Sequence, residues 1–77
     1  MKDLIELTSF IVTALVREPA SVSVTLDERR GEPVISIGVA EDDRGAVIGR
    51  QGRTIRAIET LVRSAAGAGH APGIEVA

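Results

Sequence analysis

Seventy-seven residues, 44% of them hydrophobic, are enough for one thin core and too apolar for a disordered chain. With no cysteine and a lone histidine, His70, the sequence carries neither a disulfide staple nor a metal site, and no cofactor site is read from it. Nine Lys and Arg against eleven Asp and Glu give a net charge of −2, unlike a dedicated duplex binder, and a single aromatic, Phe10, argues against a platform for stacking bases.

In chain order, Asp3 with Glu6 three residues on reads as a helix start. Leu4, Leu7, Ile11, Ala14 and Leu15 recur at helical spacing, widened by Ile5, Phe10 and Val12, and Pro19 ends the run. The spacing predicts a helix over about 3–17 that packs on a sheet. Ser21 to Leu26 alternates as a half-buried strand, Asp27 to Pro33 reads as a charged hairpin loop with Arg29 and Arg30 solvated, and Val34 to Val39 is a second strand. Ile35, Ile37 and Val39 share one face of it. An Asp of Glu41-Asp42-Asp43 is placed to cap a short helix over Gly45–Ile48. A catalytic carboxylate pair finds no His, Cys or metal ligand beside it, so no enzyme is expected.

Ile48-Gly49-Arg50-Gln51-Gly52-Arg53-Thr54-Ile55 is the specific stretch. Two glycines bracket two polar residues, and a helix over about 53–66 follows, with Ile55, Ile58, Leu61, Val62 and Ala65 apolar. Unpaired amides and the positive dipole end at that helix start suit an anion such as phosphate. A plain helix–turn–helix corner also uses glycine. Context favours the anion: between Arg44 and Arg63 stand five Arg and one Glu. Gly49 is not followed by the Gly-Lys-Ser/Thr of a nucleotide P-loop, and Val47 stands where a dinucleotide fingerprint needs glycine. Residues 67–73 read as a small, flexible linker with His70 in solvent, and Ile74-Glu75-Val76 as a short last strand.

The resulting class is α+β: a three-stranded sheet with three helices on one face, in the order α-β-β-α-α-β, one domain over residues 1–77. Met1-Lys2-Asp3 carries an acid and no apolar run approaches about 18 residues, so a cytoplasmic protein without membrane contact is expected.

Val47 through Ile58 resembles the core of a KH domain, apolar-Ile-Gly-x-x-Gly-basic-x-Ile with a further apolar residue three places on. The element order is similar to the type II, bacterial KH arrangement, and nearly the whole chain resembles the small single-KH bacterial proteins of the KhpA kind. In KH domains the loop clamps about four backbone nucleotides. The resemblance implies single-stranded RNA held by the amides of Gly49 to Gly52 and by Ile48, Arg50, Gln51, Arg53, Thr54, Ile55 and Arg56. Ile48, Ile55 and Ile58 would line a groove, with Ile35 and Ile37 opposite; Ile55 and Ile58 are equally readable as core. It also implies a homodimer, or a heterodimer with a second KH protein of the Jag (KhpB) type, and a post-transcriptional or RNA-chaperone role. The alternative is a protein–protein adaptor using the same fold, favoured if Leu61 and Val62 are exposed.

Overall fold

Helix α1 runs over Lys2–Leu15, and what ends it is a carboxylate far along the chain. The amides of Arg17 and Glu18, which would continue the helix expected to residue 17, donate to Oδ1 and Oδ2 of Asp43, each at 3.1 Å. A computed structural model describes residues 2–67 and 71–77; His70 and the middle of the expected linker lie outside the described residues. The buried line of α1 is Leu4, Thr8 and Val12, one turn apart, with Ile5, Ile11 and Val16 packed beside it. This line is rotated from the expected stripe. Ala14 and Leu15 are exposed and Phe10 is 75% exposed. The apolar residues of α1 cover more of its circumference than one sheet face can hide. Thr8 can sit at the centre because its hydroxyl donates to the Leu4 carbonyl at 2.7 Å, a bond made within the helix itself. Phe10 instead borders a shallow depression of about 670 Å³ with Ile5, Ala14 and Val24.

Strands β1 (Ser23–Arg29) and β2 (Glu32–Gly38) pair antiparallel from Ser23↔Gly38 to Arg29↔Glu32. The expected seven-residue loop is therefore a two-residue turn, Arg30-Gly31, with φ of 54° and 81°. Two consecutive positive φ values give the turn whose twist matches a hairpin, so the ladder runs on through Asp27, Glu28 and Pro33. Pro33 is tolerated because β3 begins to pair only at Val34↔Gly73, leaving that end of β2 with one neighbour. Strand β3 (Gly73–Val76) lies parallel to β2, Ile35↔Ile74 and Ile37↔Val76, and Ala77 adds an amide bond to Ile37 at 2.9 Å. The sheet order is β1-β2-β3.

After a 3-10 turn over Glu41–Asp43 come α2 (Arg44–Ile48), a second 3-10 turn over Arg50–Gly52, and α3 (Arg53–Ala66). Leu4, Val12, Ile35, Ile37, Val47, Ile58 and Val62 form the core, with Ile55 and Ala66 packed against it. Each fully buried Ile or Val contributes roughly 1.5–3 kcal/mol by leaving water. Three helices thus cover one face of a three-stranded sheet in the order α-β-β-α-α-β. On α3 the inward line is Ile55, Ile58, Val62 and Ala66; Leu61 and Ala65, counted inward from sequence, face outward. Gly67 closes α3 with φ 85° and an amide bond to the Arg63 carbonyl at 3.1 Å.

Candidate nucleic-acid interface

The turn between α2 and α3 is built by glycines with different tasks. Gly49 has φ 77° and ψ 167°, and a Cβ placed on it would meet the Thr54 Cβ and backbone nitrogen at 2.7 Å. Both the dihedral and the close approach require glycine there. Gly52 has φ 75°, but a Cβ would meet only Ile55 Cγ2, at 3.9 Å. Gln51, between them, is left-handed without being glycine (φ 56°, ψ 25°), at a cost on the order of 1 kcal/mol. Its carbonyl accepts a hydrogen bond from Arg56 Nη2 at 2.7 Å. The Gly49 amide donates to the Gly45 carbonyl at 2.8 Å and the Gly52 amide to the Gly49 carbonyl at 3.1 Å. Two of the four amides expected to face a phosphate are therefore committed inside the protein.

Arg50, Gln51, Arg53 and Arg56 are exposed; Ile48, Gly49, Gly52, Thr54 and Ile55 are half-buried. Among the described residues both ion pairs belong to Arg29, so Arg50, Arg53 and Arg56 meet no carboxylate. Their charge adds to the positive end of the 14-residue α3, which opens at Arg53. Arg44 stands at the far end of α2 and is half-buried. The groove inferred from sequence loses three of its five apolar residues. Ile35 and Ile37 are fully buried and Ile58 is 2% exposed, so a base could reach them only by unpacking the core. Ile48 and Ile55 remain accessible.

Asp43 does not act as the expected cap. Its side chain makes no bond to the start of α2 and, at 3% exposure, spends both oxygens on the Arg17 and Glu18 amides. The sequence shows an acid before a short helix; nothing in it points to amides 25 and 26 residues upstream. The same engagement takes Asp43 out of any catalytic carboxylate pair. Among the described residues no cluster of three or more metal-ligating side chains occurs, and no helix is long and apolar enough to cross a membrane. Leu61 is 52% exposed, whereas Val62, paired with it in the adaptor reading, is fully buried.

Comparison with known proteins bears on the whole of this arrangement. The family model described as "KhpA/KhpB, KH domain" matches residues 4–75. Proteins named RNA-binding protein KhpA are similar to the chain: that of Treponema pallidum is 41% identical over 61 residues, 79% of this chain and 76% of the relative. That of Clostridium perfringens is 41% identical over 68 residues, 86% and 84% of the two chains, and that of Streptomyces coelicolor 39% over 64, 83% and 81%. No solved structure gave a significant match. A family model spanning nearly the full chain, over a fold with the expected element order and a Gly-x-x-Gly turn at the head of α3, places this protein in the KhpA/KhpB KH-domain family.

Proposed function

We propose that residues 1–77 act as a single domain that holds single-stranded RNA at the Gly49–Gly52 turn, without enzymatic chemistry, in a cytoplasmic post-transcriptional or RNA-chaperone role. The observation that carries this reading is the turn itself: Arg50 and Gln51 stand exposed between two left-handed glycines, at a helix start, with three arginines unopposed by acids. The relatives' name, RNA-binding protein, supports it. The phosphate-holding amides are those of Arg50 and Gln51, since those of Gly49 and Gly52 are already donated. Arg50 and Arg53 add charge, and Ile48 and Ile55 offer apolar contact to a splayed base.

With so few contacts one domain binds weakly, so a dimer, with itself or with a second KH protein, would raise effective affinity. Titration of single-stranded and hairpin RNAs of equal length at several salt concentrations tests the proposal. The expected result is micromolar or weaker binding that favours the unpaired strand, with log K falling against log salt at a slope of roughly −2. A preference for duplex, or a slope several-fold steeper, would assign the contact to another surface. The exposed Leu61 and Phe10 favour the second reading, a protein–protein adaptor. Crosslinking in cells that recovers no RNA would select it.

A further inference from the structure

We propose that Arg56 is a positioning residue of the turn and not a phosphate ligand: its guanidinium locks the Gln51–Gly52 peptide in the orientation that leaves the Arg50 and Gln51 amides for RNA. The inference rests on the RNA-holding reading of this same turn. A peptide group is planar, with its carbonyl and amide pointing to opposite sides. In the Gln51–Gly52 peptide both ends are held: the carbonyl by Arg56 Nη2 at 2.7 Å, the amide by the Gly49 carbonyl at 3.1 Å. Neither bond alone prevents the plane from rotating about its neighbours; together they fix it.

The need is local. Gln51 and Arg30 are the two non-glycine residues with positive φ among those described. Arg30 is held by the strand ladder on both sides of it, with Arg29↔Glu32 as the last pair. Gln51 has no ladder. Arg56 lies in the first turn of α3, where a long side chain leans back toward the helix start and reaches the segment just before it. Its Cα is set by the packing of Ile55 and Ile58 on the core. Without this bond the Gln51 carbonyl, a partial negative charge, is free to turn toward the anion the loop must receive.

The test separates an internal strut from an RNA contact. Arg56→Met keeps the stem and removes every donor. In the RNA-free protein, the three-bond HN–Hα coupling and backbone shifts of Gln51 are expected to move toward averaged values, while the fold is kept. RNA affinity is expected to fall by about 3- to 10-fold with the salt slope changed by less than about 0.3, whereas Arg50→Met removes about 0.7 from it, as one lost phosphate contact on a single strand should. Adding Gln51→Gly, which takes the left-handed conformation without strain, is expected to restore most of the lost affinity. The proposal is overturned if Arg56→Met lowers the slope as much as Arg50→Met and leaves the Gln51 signals in place. Should the wild-type protein bind no RNA, the RNA reading falls by itself, and the Gln51 signals still decide whether Arg56 is the strut.

Discussion

At Arg30-Gly31 and again at Gln51-Gly52, a non-glycine residue with φ near 55° is followed by a glycine with φ near 80° (54° and 81°, 56° and 75°). The backbone solves both corners the same way, yet the surroundings differ in every respect that bears on binding. The hairpin turn is flanked by Glu28 and Glu32, and its neighbour Arg29 is paired with Asp27 at 2.8 Å and with Glu75. A Cβ at Gly31 would meet nothing within 4 Å. The turn before α3 has arginines with no acid in contact, a glycine pressed on backbone, and a helix start behind it. Left-handed glycine by itself therefore marks a corner. Charge left unpaired, with backbone packed too closely for a side chain, marks a site.

Alanine at the three turn glycines is the largest test of that contrast. Gly49→Ala brings Cβ against the Thr54 backbone as well as straining φ, and is expected to cost about 2–5 kcal/mol, enough to unfold much of so small a domain. Gly52→Ala and Gly31→Ala carry only the dihedral strain and are expected to cost about 1–2 kcal/mol each. Urea denaturation ranks them; equal losses at positions 49 and 31 would remove the close approach from the argument. Next in size, Arg50→Asp with Gln51→Asp should abolish detectable RNA binding while costing the fold under ~0.5 kcal/mol, both side chains being exposed. Arg30→Asp, the matched change in the other turn, should leave affinity within about twofold. Circular dichroism with filter binding reads both, and a comparable fall from Arg30→Asp would move the contact to the hairpin.

The smallest effect lies at the paired end. The hydrogen bond from Arg29, aided by the Glu28 amide, holds the Asp27 carboxyl below the ordinary carboxylate range. A carboxyl whose folded value is lowered contributes stability above its unfolded value, and that contribution fades as pH falls through the folded one. Asp27→Asn should therefore lower the melting temperature slightly at pH 7 and leave it equal to wild type near pH 2, where both side chains are neutral. Equal melting at both pH values would show the pair to be thermodynamically silent, as many exposed pairs are.

What could be read from the sequence follows a physical division. Periodicity and glycine placement are local, so the element order, the two turns and the twelve-residue motif from Val47 to Ile58 were legible. Which side of a helix meets the sheet is decided by partners distant in sequence. That is why Thr8, not Leu7, centres α1 and why Leu61 turns outward from α3. The hairpin length was missed because charged residues read as loop, although an Arg-Gly pair can close a two-residue turn and let the acids on either side stay in strands. The groove was overdrawn for a related reason: alternation puts Ile35 and Ile37 on one face but does not tell a covered face from an open one.

The reach of Asp43 across the molecule has a consequence for how the protein breathes. Arg17 and Glu18 lie beyond the end of α1, with exposed side chains, where backbone amides ordinarily exchange with solvent through local fraying. Here their hydrogens are held by a buried carboxylate at the start of α2, one residue before a five-residue helix too short to persist alone. Those two amides can exchange only when Asp43 withdraws, and Asp43 is tethered to Val47, which is fully buried in the core. The connector after α1 and the helix that leads into the Gly49–Gly52 turn consequently open together or stay closed together, as one cooperative unit. Slow amide exchange at Arg17 and Glu18 becomes a gauge, read on the opposite side of a 25-residue separation, of how firmly the base of the turn is seated.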